Sequence, residues 1–196
     1  MTTIAFDGKV VAADRRITRK GIATEEERIK IRIPHRDVKF RGDEVLFVAG
    51  TGKSIVISAA VDIIFDEQNP VYFFNMVRKH HFLSSVSEES RIMVGCPGVA
   101  YIIVISYEKV EVFKVTLNDR AYLIGSGKSA AKVLQALCPS TTPFELIAAA
   151  AIGDTVGTGT NIDVYDTVTK DLTNNTNTRE ELIEVVKKAT RRKTRK

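Results

Sequence analysis

The chain has 196 residues, of which 44% are hydrophobic and 27% are charged, and its formal net charge at pH 7 is +5. These values are ordinary for a globular protein and predict a single domain with a sizeable hydrophobic core. No stretch approaches the roughly 18 consecutive apolar residues of a membrane-spanning helix, so the composition excludes a transmembrane protein.

The cysteines and the start of the sequence indicate a reduced compartment. Cys96 and Cys138 have no metal-type spacing and form no disulfide framework, so we expect two buried thiols in a cytoplasmic protein. Asp7 and Lys9 interrupt the apolar start, and we therefore expect no signal peptide. We also expect no metal and no cofactor.

The first predicted elements are a hairpin and an alternating strand. Two apolar runs, 4–6 and 10–13, flank Asp7-Gly8 and predict a β-hairpin that anchors the start of the chain. Residues 28–33 alternate strictly between cations and isoleucines, which predicts a strand with Arg28, Lys30 and Arg32 on one face. Pro34 ends this predicted strand.

The remaining elements alternate in blocks along the sequence. We predict strands over 44–48, 91–94, 100–107, 110–115, 121–124 and 161–167. We predict helices over 55–65, 70–83, 129–137, 144–152 and from 179 onward. Such blocks indicate a layered α+β fold with two sheets between helix layers. We expect one domain over residues 1–186, followed by a basic tail over 187–196.

The tail carries seven basic residues and no acidic residue. It can contact nucleic acid or an acidic partner, or it can be the solvated end of a helix. Without the tail the protein is close to neutral, so we do not expect it as a whole to bind nucleic acid.

Two glycine turns end in Gly-Lys-Ser, at 52–54 and 127–129. A phosphate-binding loop needs a further glycine five positions before the glycine of this triplet, where the sequence has Phe47 and Tyr122. Both turns therefore fail as nucleotide sites. Their backbone N–H groups at a helix start are still suited to stabilising an oxyanion.

The candidate nucleophile is Thr2. The three histidines, His35, His80 and His81, form no convincing catalytic arrangement with a serine or cysteine. A threonine at the N-terminus needs no histidine, because its α-amine has a pKa of about 7.7–8.0 and accepts the proton of its own hydroxyl. Threonine is small, so we expect Met1 to be removed without a propeptide. Lys30 is a candidate cation beside this nucleophile, with Asp14 as its carboxylate partner.

These residues carry a resemblance to a known family. The sequence resembles the proteasome β-subunit and bacterial HslV family of N-terminal nucleophile hydrolases. The similarity covers Thr2-Thr3-Ile4, the segment AADRRIT at 12–18, a lysine sixteen residues after Asp14, and Ala49-Gly50. It continues through Ile124-Gly125-Ser126-Gly127 and through Gly153-Asp154 after an alanine-rich helix. The order and spacing of the set are specific, although each motif alone is weak.

The resemblance implies a four-layer αββα sandwich, the fold of the N-terminal nucleophile hydrolases, and a set of roles. Thr2 attacks the scissile carbonyl, Lys30 tunes Thr2, and Asp14 holds Lys30. The Gly50 N–H stabilises the oxyanion, and Ser126 and Asp154 orient the amine and a water. It also implies substrate-binding positions, which are Thr18, Arg28, Arg32, Val48 and Gly50. Two arginines among them favour an acidic residue before the cut or the C-terminus of a peptide, unless they pair with neighbouring glutamates.

The implied activity is a threonine endopeptidase in a ring of identical copies, with peptide or protein substrates and an ATP-driven unfoldase as partner. Two departures from the family pattern favour alternatives. The hairpin is about four residues shorter, and the family's serine three residues after the aspartate is Gly157 here. Thr158 or Thr160 is a candidate replacement. A non-proteolytic amidohydrolase, a catalytically weak assembly protein and a nucleotide- or nucleic-acid-binding module are the alternatives.

Overall fold

The structure is a computed structural model that describes residues 2–19, 22–66, 89–106, 109–118 and 120–193. The fold is α+β and divides into two compact units. The terminal unit comprises Met1–Lys30 and Asn118–Lys196, and the central unit comprises Ile31–Leu117. The helix predicted over 70–83 lies outside the described residues.

The secondary structure follows the predicted alternation in most places. The strands are β1 Thr3–Phe6, β2 Val10–Asp14, β3 Arg16–Arg19, β4 Ile22–Glu27, β5 Ile31–Arg32, β6 Lys39–Phe40, β7 Asp43–Glu44, β8 Phe47–Thr51, β9 Ser90–Cys96, β10 Val99–Ile105, β11 Val110–Thr116, β12 Tyr122–Gly125, β13 Ile162–Asp166 and β14 Leu172–Asn175. The helices are α1 Ser54–Asp66, α2 Lys128–Leu137, α3 Pro143–Gly153 and α4 Arg179–Lys193.

The terminal unit is built on a five-stranded antiparallel sheet in the order β12-β1-β2-β13-β14. The predicted hairpin joins β1 to β2, with Ile4 opposite Ala13. Its turn is closed by the Asp7 carboxylate, which accepts the N–H groups of Lys9 and Val10, while Gly8 takes the positive φ of 102°. The first strand is thus held in the interior of its sheet, as the sequence predicted.

Helices α2, α3 and α4 contribute to the core on one face of this sheet. Helix α3 begins with a capping box, in which Thr142 and Glu145 exchange side-chain-to-backbone hydrogen bonds, and Pro143 occupies its first turn. Its alanine-rich face packs on the small residues of β1 and β2. The resulting core includes Ala5, Ala12, Leu123, Ala131, Leu146, Ile147, Ile162 and Leu182.

The central unit has its own five-stranded antiparallel sheet, in the order β11-β10-β9-β8-β5. Helix α1 packs on this sheet, and β6 pairs with β7 as a separate two-stranded ribbon. The core is strongly β-branched, as expected for strands buried on a face. It includes Val48, Val56, Ile63, Ile64, Ile92, Val94 and Ile103.

Two sequence predictions about strands need correction, and four strands were not predicted. The strand predicted over 28–33 is wrong, because only Ile31–Arg32 is a strand and residues 28–30 link it to β4. The strand predicted over 44–48 is split into β7 and β8, since the Val45 N–H turns to the Val38 carbonyl. Strands β3, β4, β6 and β14 were not predicted at all.

The basic segment starts inside α4. Its residues 187–193 continue that helix, and Ala189 is buried. Arg192 forms an ion pair with Glu145 at the start of α3. Part of the segment is therefore packed against the terminal unit. In the described part of the protein, each helix falls short of the length and apolarity needed to cross a bilayer.

Candidate active site

The beginning of the sequence is pinned between a strand and a glycine turn. Thr3 pairs with Gly125 in β12, and the carbonyl of Thr2 accepts the Ser126 N–H at 3.3 Å. Gly125 has a φ of 109°, and a Cβ there would lie 1.8 Å from the Thr2 carbonyl oxygen. Only glycine therefore fits at position 125 with Thr2 in this place. Thr2 itself is 5% exposed.

Lys30 meets the Thr2 side chain. Its Nζ donates hydrogen bonds to Thr2 Oγ1 and, at 2.7 Å, to the Arg16 carbonyl. Burial lowers the pKa of Lys30, and the nearby Arg28 adds to this lowering. The carboxylates of Asp14 and Asp163 oppose it. The predicted pairing of Lys30 with the candidate nucleophile is present in the structure.

Asp14 is buried at the end of β2 and is fully hydrogen-bonded. Its carboxylate accepts the N–H groups of Thr3 at 2.7 Å, Gly159 at 2.9 Å and Arg16 at 3.1 Å. Burial raises its pKa, while Lys30 and these three donors act in the opposite direction.

Asp14 is linked to Lys30 through a backbone residue. No ion pair within 4.0 Å joins their side chains among the residues that the structure describes. The two groups interact electrostatically. They also share Arg16, whose N–H binds Asp14 and whose carbonyl binds Lys30. Asp14 therefore holds the backbone of Arg16, whose carbonyl accepts a hydrogen bond from Lys30, and does not bind the ammonium directly.

Asp154 follows α3 and faces the same region. Its Oδ1 accepts the Gly157 N–H at 2.9 Å, and its Oδ2 accepts the Thr158 hydroxyl at 3.2 Å. Burial acts to raise the pKa of Asp154, but the hydrogen-bond donors of Ser126, Gly157 and Thr158 outweigh it and lower the pKa below its usual value. The carboxylate is therefore ionised at neutral pH.

Ser126 lies beside this carboxylate. Its Oγ is buried, and its hydroxyl helps to lower the pKa of Asp154. A Cβ added at Gly157 would lie 2.3 Å from this oxygen and 2.4 Å from Asp154 Oδ2. Glycine at 157 thus leaves room for the two side chains to approach each other. A serine at this position would collide with both.

Thr158 supplies the hydroxyl that Gly157 lacks. Its Oγ1 lies 2.8 Å from Thr3 Oγ1 in addition to its bond with Asp154. Thr3 Oγ1 also accepts the Gly127 N–H at 2.8 Å. Of the two candidate replacements, Thr158 is the one whose side chain joins the site. It ties Asp154 to the first strand.

The predicted substrate-binding residues are divided between the two units. In the terminal unit, Thr18 is half-buried in β3 and Arg28 is exposed. In the central unit, Arg32 is exposed on β5, Val48 is buried on β8, and Gly50 lies one residue beyond the stretch of β8 that pairs with β5.

The predicted common face of Arg28, Lys30 and Arg32 is wrong. Residues 28–30 are not in a strand, so the period-two argument does not apply to them. Lys30 is half-buried on Thr2, whereas both arginines are exposed.

Sequence reasoning missed two contributors. Thr3 was read only as part of the Thr2-Thr3 motif, but its hydroxyl connects two loops. Asp163 was not singled out, because the alternation in Ile162–Asp166 is typical of a strand with an exposed polar face. Asp163 is instead completely buried.

The site consists of hydroxyl, ammonium and carboxylate groups. No set of three His, Cys, Asp or Glu side chains within the described ranges is arranged to hold a metal ion. Comparison of the sequence with protein-family models found no match, and comparison with curated proteins found none either.

Proposed function

We propose that this protein is a threonine-type peptidase of the N-terminal nucleophile class, with Thr2 as nucleophile after removal of Met1. One observation carries the proposal, which is the hydrogen bond from the half-buried Lys30 ammonium to Thr2 Oγ1. A cation at this position stabilises the alkoxide form of the threonine and so activates its oxygen.

The reaction needs only groups of the protein and a water. The freed Thr2 amine takes the proton from Oγ1, which attacks the scissile carbonyl carbon. The tetrahedral oxyanion accepts the Gly50 N–H. The C–N bond then breaks, and the amine proton goes to the departing nitrogen, which leaves an ester on Thr2. Water, deprotonated by the same amine, hydrolyses that ester and restores the hydroxyl.

The surroundings of Thr2 suit an amine. Asp154 carries a negative charge at neutral pH, and the Ser126 hydroxyl is buried beside it. The Ser126 N–H meanwhile holds the Thr2 carbonyl. A carboxylate and a hydroxyl near the start of β1 are the groups that would orient the amine and a water.

The proposal includes the four-layer αββα fold. Each unit supplies one five-stranded antiparallel sheet with at least one helix packed on it. The proposal also includes a ring of identical copies that encloses the site, and an ATP-driven unfoldase that delivers substrates to it. Exposed Arg28 and Arg32 are the residues that would favour acidic groups in a substrate, with Thr18 as a further contact. The Val48 side chain is fully buried in the core of the central unit and is not available to a substrate.

Intact mass spectrometry with and without a threonine-directed β-lactone tests this function. We expect the mass to lack Met1 and one covalent adduct to form on Thr2. The Thr2→Ala variant should assemble normally, form no adduct and lose peptide hydrolysis, whereas Thr2→Ser should keep both in part. Hydrolysis by material in which every molecule retains Met1 would contradict the proposal.

The same experiment separates the alternatives of the same fold. An adduct without hydrolysis of any fluorogenic peptide indicates an amidohydrolase that acts on small amides. Normal assembly with no adduct indicates a protein whose role is structural. In a peptide panel, faster cleavage after leucine or lysine than after glutamate would rule out the proposed arginine preference.

A further inference from the structure

Asp163 is a buried carboxylate that nothing in the proposed reaction uses. It lies in β13, its exposure is 0%, and neither carboxylate oxygen has a hydrogen-bond partner among the described residues. The nearest cation in contact is Arg15, whose Nε lies 3.7 Å from Oδ1 and is itself without a hydrogen bond in the described part of the protein. Buried carboxylates are almost always hydrogen-bonded, so this one requires an explanation.

The sheet register places Asp163 beside the site. Asp163 is opposite Ala13, and Ala13 is opposite Ile4, so these side chains share one face of the sheet. The neighbouring pair, Ile162 and Asp14, occupies the other face. Thr2 lies two residues before Ile4, and its carbonyl continues the pairing of β1 with β12, so its side chain and the Lys30 Nζ bonded to it lie on the same face as Asp163. Lys30 Nζ also binds the carbonyl of Arg16, the residue next to the Arg15 that pairs with Asp163.

Three charged groups among the described residues act on Asp163. Arg15 is shared with Glu27, which lies 3.8 Å from its Nη1, and Glu27 also accepts a hydrogen bond from Asn161. Burial raises the pKa of Asp163, Arg15 opposes this, Glu27 adds to it, and Lys30 opposes it. Asp163 is thus paired with Arg15 at 3.7 Å without a hydrogen bond and acts electrostatically on Lys30.

We propose that Asp163 is a positioning residue that keeps Lys30 protonated while Lys30 donates to Thr2 Oγ1. The inference rests on the proposed function and adds a second carboxylate to it. The carboxylate of Asp14 accepts three backbone N–H groups, whereas that of Asp163 accepts no hydrogen bond from the described residues. A buried charge acts over a longer distance than a solvated one, because the surrounding dielectric is lower. A purely structural pair with Arg15 would leave Lys30 unaffected.

The test measures the protonation of Lys30 directly, in the full-length protein. Trace acetylation with acetic anhydride across a pH series, read by peptide mass spectrometry, gives the midpoint at which Lys30 becomes reactive. Asp163→Asn should lower this midpoint by about one pH unit, because it removes a negative charge near the ammonium. Asp163→Glu should restore it. Asp166→Asn is the matched control. It makes the same change at the last residue of β13, where the carboxylate accepts the N–H groups of Val168 and Thr169 in the following turn.

Peptide hydrolysis provides the second reading. The high-pH limb of kcat/KM should move down by the same amount in Asp163→Asn and stay in place in Asp166→Asn. Asp163→Ser carries the same expected shift and replaces Asp163→Asn if that variant does not fold. An unchanged Lys30 midpoint in a folded neutral variant overturns the inference. Absence of hydrolysis in the wild type refutes the proposed function alone, since the acetylation midpoint does not depend on turnover.

Discussion

The two units share one architecture but bury different side chains. Each contains a five-stranded antiparallel sheet with at least one helix packed on it. The described part of the central unit buries two polar residues, Thr51 and Ser90, whereas that of the terminal unit buries seven, among them Asp14 and Asp163. Buried polar groups cost stability unless they are hydrogen-bonded. The central unit is therefore packed mainly with apolar side chains, whereas the terminal unit also buries polar groups, several of them at the candidate site.

The largest expected effect appears when a lysine is replaced by methionine in each unit and the two variants are compared. Lys30→Met removes the ammonium from Thr2 Oγ1, and we expect kcat/KM for a fluorogenic peptide to fall about a thousandfold. Lys114→Met removes an exposed lysine of the central unit that bonds Asp43 at 3.0 Å, and activity should stay within twofold of the wild type. Equal losses in the two variants would mean that the chemistry is not confined to the surroundings of Thr2.

Truncating a core residue of the central unit should lower stability and leave the hydrolysis rate almost unchanged. Ile103 is fully buried in that core, and Ile103→Ala should lower the free energy of unfolding by about 3 kcal/mol, through lost contacts and a cavity. Hydrolysis per folded molecule at 25 °C should remain close to that of the wild type. Urea unfolding and active-site titration with the β-lactone measure the two quantities separately. A large loss of rate without a loss of stability would contradict this division.

Local sequence signals made the start of α3 and the first turn predictable. Thr142-Pro143 marks the start of α3, and Asp7-Gly8 marks the turn, since capping and turn formation depend on adjacent residues. The pairing of Lys30 with Thr2 was predicted from the need for a cation near the nucleophile, with Lys30 placed on a strand face. Periodicity failed over 28–33, where only Ile31 and Arg32 pair with β8 and the Arg28 N–H binds the Arg15 carbonyl instead.

The rest of the site depends on contacts between distant residues. Thr158 reaches Thr3 across 155 positions in the sequence, and a shift of two residues in the loop after Asp154 would have favoured Thr160. Asp163 looked like an ordinary exposed strand residue, since alternation gives the two faces of a strand but not their burial. Tertiary packing decides both points, and neither has a local sequence signal.

A smaller effect should follow from the loop hydroxyl. Thr158→Val keeps the side-chain shape but removes the donor to Asp154, so the pKa of Asp154 should rise toward its ordinary value. We expect kcat/KM to fall about tenfold, with its acid limb displaced to higher pH. Thr167→Val, which removes a buried hydroxyl bonded to the Lys9 carbonyl at 2.7 Å, is the control that should change only stability. Identical pH profiles for the two variants would count against a role for Thr158.

The smallest expected effect measures how much the buried Asp163 carboxylate lowers the free energy of unfolding of the protein. Burial raises the folded-state pKa of Asp163 above its unfolded value, so the protonated form is favoured in the folded protein. That contribution to stability is fully present below the unfolded pKa and is lost as the pH rises through the folded pKa. Asp163→Asn should therefore unfold with a free energy about 1 kcal/mol higher than the wild type at pH 7, and the gain should vanish in acid. Asp166→Asn should give no such pH-dependent gain in thermal unfolding. A loss of stability in Asp163→Asn at pH 7 would show instead that Arg15 depends on this carboxylate, because removing one member of a buried pair leaves the other charge uncompensated.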